Sequence, residues 1–381
     1  MVLRTVDQLS VKLSNIYHNI IIAMEVIRER LREAINIDRK EQRAIVVNKN
    51  RPALGECIEN VSYSSVFVTE MAKKLKKKTL NINDYRRLQN ALIQSELNIE
   101  TLLKVDNILF ALARDISGNN PISQLNATNC CCNIALGNTK ACTAVAKHIS
   151  PYIITECESL NRPLLEVCLW TIGNLSSGSK KAFEILHAQK CLQYIIILMH
   201  ECDNNILPSV IYAALHYIYS GFSSITETEL VELAEACKNK NLLEKNSDTL
   251  WLLALLSSNI ACSKSLYYVL PSIVDFLHQS ASNNFSNTTL IAACLRILAN
   301  VLSNASEEIV NIFLKNPKYS HLDVQILFRG LLSHYHKYIR KETIWLLGNL
   351  YNHASSNINQ TIQDIISFLP PLEEIIASTM G

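Results

Sequence analysis

The chain reads as an all-α repeat protein, and three observations predict it. Trp170 and Asn174, in Leu164-Leu165-Glu166-Val167-Cys168-Leu169-Trp170-Thr171-Ile172-Gly173-Asn174-Leu175, return as Trp345 and Asn349 in Lys341-Glu342-Thr343-Ile344-Trp345-Leu346-Leu347-Gly348-Asn349-Leu350. Residues four apart share one helix face, so an aromatic and an amide stand on the same stripe twice. The 381 residues hold only 9 Gly and 9 Pro, which favours long helices and short turns over a many-stranded fold. They are 49% hydrophobic and 18% charged, ample for a sizeable core but long for one compact domain.

The first element is a helix over residues 1–51. Val6, Leu9, Leu13, Ile16, Ile20, Ala23 and Ile27 are spaced alternately three and four, a seam that makes the helix capable of coiled-coil pairing. The same 51 residues hold ten Lys/Arg and six Asp/Glu, a basic surface suited to an acidic partner. Residues 52–84 read as a basic linker, because Lys73, Lys74, Lys76, Lys77 and Lys78 repel one another. Their composition is also that of a nuclear-localisation peptide, able to lie in a binding groove in cis.

Residues 85–381 carry the repeats, about seven of them. Aligned on Trp170 and Asn174, further pairs fall at Asn129/Asn133, Ala213/Tyr217, Trp251/Leu255, Arg296/Asn300 and Trp345/Asn349, with spacings of 41, 43, 38, 45 and 49 residues. Periods near 40 to 47 belong to helical armadillo or HEAT arrays. Two residues after each first member stand Cys131, Ile172, Leu215, Leu253, Leu298 and Leu347. One residue after each second member stand Ile134, Leu175, Ile218, Leu256, Val301 and Leu350. All twelve are apolar and predict a buried stripe beside the pair stripe. Gly137, Gly178 and Gly221 follow three pairs by four residues, as helix-ending glycines would. A further unit is expected over about 85–117, and one or two helices broken by Pro370-Pro371 over 360–378.

Composition narrows the function. A net charge of +2 excludes a polyelectrolyte for nucleic acid. Twelve cysteines without a CxxC pair, three of them consecutive at Cys130, Cys131 and Cys132, predict small buried hydrophobes in a reducing compartment. His321, His334 and His336 read as a solvated loop or helix face rather than a metal cluster. The polar N-terminus predicts no secretory signal, which leaves the Asn126 and Asn287 glycosylation triplets without meaning. The apolar stretches 206–222 and 250–261 contain polar residues and read as core helices rather than membrane spans. With no phosphate loop, metal spacing or nucleophile elbow, neither an enzyme nor a cofactor is expected.

The pair stripe resembles that of the importin-α (karyopherin-α) family, whose armadillo repeats carry Trp and Asn four apart on the third helix. The order of variants matches over about residues 85–365: Asp248-x-x-Trp251, then Arg296 in place of Trp with Asn300, then Lys341-Glu342-x-x-Trp345-x-x-x-Asn349. Arg39-Lys40-Glu41-Gln42-Arg43 with Lys49-Asn50-Arg51 is similar to the family's importin-β-binding helix, diluted by Glu29, Glu33 and Asp38. A coiled-coil start before divergent repeats is also similar to the transmembrane and coiled-coil domain protein of that superfamily.

The resemblance implies a right-handed superhelical armadillo solenoid after a long N-terminal helix. It implies a nuclear import adaptor of cytoplasm and nucleus that binds Lys/Arg-rich cargo peptides. Trp170, Asn174 and Asn133 would form a first peptide site, and Arg296, Asn300, Glu342, Trp345 and Asn349 a second, with Asn129 and Trp251 also counted among the peptide-binding residues. Asn amides would clamp the peptide backbone and indoles would flank lysine stems. Arg28, Arg30, Arg32, Arg39, Lys40, Arg43, Lys49 and Arg51 would contact an importin-β-type carrier. The chain departs from the family at Asn129, at Ala213 with Tyr217, at Val167, and at Gly178 where a groove Asp commonly stands. Those departures leave open a second expectation, an armadillo scaffold that assembles complexes without transport.

Overall fold

The computed structural model describes residues 53–55, 61–238 and 247–380. The expected N-terminal helix and all eight carrier-contact residues lie outside them. Every regular element among the described residues is helical. They divide into two compact units, one ending at Leu266 and the other starting at Tyr267.

The first unit runs α1 (Ser65–Lys77), α2 (Ile82–Gln94), α3 (Glu96–Leu103), α4 (Ile108–Ile116), α5 (Pro121–Ile134), α6 (Thr139–Thr155), α7 (Arg162–Gly178), α8 (Lys180–Ala188), α9 (Cys191–Glu201), α10 (Leu207–Gly221), α11 (Glu227–Cys237) and α12 (Ser247–Leu256). The second runs α13 (Leu270–Ser282), α14 (Thr288–Leu302), α15 (Glu307–Leu314), α16 (His321–Leu332), α17 (Lys337–Tyr351), α18 (Ser356–Phe368) and α19 (Leu372–Met380). This is the armadillo-like plan of two shorter helices, or one merged helix, followed by a longer third. The third helices stack in series: α2 on α5, α5 on α7, α7 on α10 and α10 on α12 in the first unit, and α14 on α17 in the second.

Local chemistry sets the helix starts. Asn81, Asn120, Asn138 and Asn161 accept backbone N–H groups of the first turns of α2, α5, α6 and α7. Pro121, Pro163, Pro208 and Pro271 occupy first-turn positions, where a missing N–H costs nothing. Thr226 with Glu229, and Ser320 with Asp323, close reciprocal capping boxes on α11 and α16. Lys190, in the left-handed region at φ 58°, turns the chain sharply between α8 and α9.

All twelve residues of the expected apolar stripe are buried. Three other expectations change. The basic stretch is no linker: Val68, Ala72 and Leu75 of α1 are fully buried, and Lys74 pairs with Asp84 of α2. Lysines on the outer face repel one another weakly in water, and the apolar stripe beneath them decides the conformation. The first unit's opening repeat ends in α2, so α3 and α4 belong with α5 rather than to a separate 85–117 unit. The ends of α7 and α10 are not left-handed glycine caps, since Gly55 is the only described glycine with positive φ. Gly221 serves close approach instead, because a Cβ there would lie 1.8 Å from Cζ of Phe183.

Candidate functional site

The third helices carry a repeated contact that the sequence does not announce. Nδ2 of Asn133 donates to the Gln89 carbonyl at 3.2 Å, Nδ2 of Asn174 to that of Cys132 at 3.4 Å, and Nδ2 of Asn349 to that of Ala299 at 2.8 Å. In the last two, the acceptor directly precedes the pair asparagine of the helix before, Asn133 or Asn300. By the same rule Asn90, which follows Gln89, is the pair asparagine of α2. Sequence reasoning missed it because Arg86, not an aromatic, stands four residues earlier. Each amide thus ties one third helix to its predecessor. A buried amide left without partners would cost roughly 1–3 kcal/mol.

Asn133 does more. It is fully buried, its Oδ1 accepts the Leu54 N–H at 2.8 Å, and its Nδ2 donates to the Leu54 carbonyl at 2.6 Å. One asparagine therefore holds both polar groups of one residue in the short segment 53–55. The neighbouring Gly55 lies against Asn90, where a Cβ would come 2.7 Å from Oδ1. The backbone against this amide is thus Leu54, whereas the lysines 73–77, expected in cis, are part of α1.

Asn174 is equally buried, but its amide is engaged inside the array. Tyr212 Oη donates to its Oδ1 at 2.7 Å, and its Nδ2 also reaches the Cys132 thiol at 3.3 Å. Trp170 beside it is half-buried, as is Asn129, whose Oδ1 is buried without a hydrogen-bond partner. Trp251 of α12 is buried.

On α10 the pair register is one residue earlier than Ala213/Tyr217. Tyr212 lies on Gly173 and Asn174, and His216 Nδ1 meets Ser177 Oγ at 2.5 Å. Tyr217 turns instead to α8, edge-on to Phe183 at 4.8 Å and with Oη 3.1 Å from His187 Nδ1. Two adjacent aromatic-rich pairs, 212/216 and 213/217, are both compatible with a helical stripe, so spacing alone could not choose.

In the second unit α14 and α17 bring three of the five expected residues, Arg296, Glu342 and Asn349, into two contacts. Arg296 and Glu342 form a buried ion pair, Nη2 to Oε1 at 2.5 Å, with both side chains 6% exposed. Asn349 reaches across to Ala299 next to Asn300. Trp345, Asn300 and Asn349 are half-buried, and a Cβ added to Gly348 would meet nothing within 4 Å. On α17 Trp345 and Asn349 flank this open position, and the charges of Arg296 and Glu342 offset each other.

Burial pushes the Cys157 and Cys237 thiols up to about 12 and Cys262 to about 11, away from the reactive thiolate. No cluster of three metal-ligating side chains exists among the described residues. His334 is buried rather than solvated, in a stack with Tyr335 and His336. No helix among them is long and apolar enough to cross a membrane.

No family model matches the chain. It is 24% identical over 276 residues to importin subunit alpha-9 of Arabidopsis thaliana, an alignment that takes in 70% of this chain and 52% of that protein. The chain therefore spans about half the length of the curated relative it matches. Two engineered proteins of known structure share the fold at 15% identity. One has a TM-score of 0.61 over 75% of this chain and 69% of its own, the other 0.51 over 62% and 96%. A designed armadillo repeat protein in complex with the peptide (KR)4 superposes over 80% of this chain at a TM-score of 0.39 and 14% identity, too loosely to carry an argument.

Proposed function

We propose that the chain is an importin-α-like adaptor that binds an extended, Lys/Arg-rich peptide of a cargo protein along its pair stripes. The observation that carries this reading is the two-sided grip of Asn133 on Leu54. It is the contact by which a carboxamide holds an extended ligand backbone irrespective of side chain. Trp345 and Asn349, beside Gly348 and the open space it faces, would receive a ligand from outside, with Asn300 on the preceding third helix. There the indole face would carry lysine stems, with some cation–π attraction for the ammonium. Since Glu342 is held by Arg296, affinity would come more from these contacts than from carboxylates, with shallow salt dependence. The basic residues 28–51 would recruit an importin-β-type carrier, and the adaptor would work between cytoplasm and nucleus.

Fluorescence anisotropy with a fluorescein-labelled Lys/Arg-rich nonapeptide tests the proposal. Replacing Trp345 with Ala should weaken binding about tenfold, the equivalent of ~1.4 kcal/mol. No measurable affinity in either protein overturns it.

A scaffold without transport is the second reading, favoured by the engagement of Asn174 with Tyr212 and Cys132. A pulldown from the full chain that recovers no importin-β-type carrier would decide for the scaffold.

A further inference from the structure

A second concavity lies in the first unit, away from every pair residue. It forms where the turn before α7 meets the C-terminal end of α9 and the turn before α10, with a volume of about 370 Å³. Its wall is apolar: Leu165, Tyr194, Leu198 and Ile206 are joined by Leu160, which is 99% exposed, and Ile197, which is 49% exposed. A lone exposed leucine requires no explanation, but here two exposed branched aliphatics line the same hollow and offer it an apolar lip.

The rim is acidic. Three carboxylates, Glu158, Glu201 and Asp203, surround it against one guanidinium, Arg162. Arg162 and Asp203 are already joined at 2.5 Å, and Asp203 also accepts the Asn205 and Ile206 N–H groups, which holds its carboxyl below the usual range. Glu158 and Glu201, both exposed, are left to offer charge to an incoming cation.

We infer that this pocket is a docking site for a partner-protein segment carrying bulky apolar side chains flanked by lysine or arginine. The apolar side chains would fill the hollow and cover Leu160 and Ile197. The flanking cations would reach Glu158 and Glu201 at its edge. The site draws on contacts unrelated to the Trp/Asn stripes, so it stands whether or not those bind cargo.

Cys202 lines the pocket and is the only described cysteine that is not buried, which makes it a reporter. The probe is a six-residue peptide with Leu-Phe at its centre and two lysines on each side. Its counterpart has glutamates in place of the lysines. Alkylation of Cys202 by iodoacetamide is followed by peptide mass, which separates it from the other thiols. The lysine peptide should slow alkylation about tenfold at saturation, while the glutamate peptide should not. Ile197→Asp and Glu201→Lys should each abolish protection, and Trp345→Ala should leave it intact. Both substitutions are at exposed positions, and an unchanged circular dichroism spectrum verifies the fold. Equal protection by the two peptides, or protection that survives both pocket variants, overturns the inference.

Discussion

The carboxamide of Asn133 and the peptide groups of Leu54 form a closed two-way contact, Oδ1 receiving the Leu54 N–H and Nδ2 giving to the Leu54 carbonyl. The same Nδ2 also serves Gln89 in the preceding third helix. One side chain therefore joins two consecutive repeats and a short segment of the chain's own backbone. Its position, 79 residues from Leu54, makes that segment part of the array's fabric.

Asn133→Ala should remove the segment 53–55 from the array and leave the Gln89 carbonyl without this donor. The expected loss is ~1–3 kcal/mol of stability. Amide hydrogen exchange at Leu54 should accelerate, read by mass spectrometry, while exchange in α14 and α17 stays unchanged.

Breaking the Arg296–Glu342 pair should cost far more than a surface ion pair, because one charge would lose its countercharge in a site with both side chains 6% exposed. Glu342→Leu or Arg296→Met alone should lower stability by ~3–5 kcal/mol, and the double variant should recover most of it. Urea titrations of the three proteins measure this.

Two glycines should respond to alanine with opposite signs. At Gly221 a Cβ would collide with Phe183, which cannot swing aside because it is buried and packed edge-on to Tyr217 and flat on His187. Gly221→Ala should destabilise by ~1–3 kcal/mol or more. At Gly348 the space is open, and Gly348→Ala should stabilise α17 by ~0.5–1 kcal/mol through helix propensity. Denaturant midpoints give both signs directly.

Two histidines, His278 half-buried and His334 buried, set a mild acid sensitivity in the second unit. Burial lowers the pKa of His278, whose Nε2 lacks a hydrogen-bond partner, against the opposing pull of Asp323 and Asp275. Burial likewise lowers that of His334. Each folded pKa therefore lies below the unfolded value of about 6.5. The stability is fully present above pH ~6.5 and falls as the pH drops from there toward the folded pKa, since the unfolded chain takes up the protons first. Chemical denaturation between pH 7.5 and 5 should show this decline, and the His278→Gln, His334→Gln double variant should flatten it. The carboxylates Asp275, Glu307 and Asp323, held low by the hydrogen bonds they accept, lose their contribution only at lower pH, below about 4.5.

What was legible before any coordinates was periodic. The apolar stripe and the pair positions 129/133, 170/174, 296/300 and 345/349 follow from spacing of 3.6 residues per turn, a local property. Lys73–Lys78 misled because their charge outweighed three apolar residues in the same stretch. Asn90 escaped because it lacks an aromatic partner, and 212/216 escaped because 213/217 fits the period as well.

Sequence by itself settled that third helices recur, roughly where, and which face each one buries, since local sterics and burial of one stripe demand it. Tertiary structure alone decided which amides are committed within the array and which border open space. It joined Arg296 to Glu342 across 46 residues, turned Tyr217 away from the pair stripe and laid Leu54 on Asn133. Those partners are distant in the chain, and only the stacking of one repeat on the next brings a donor to its acceptor.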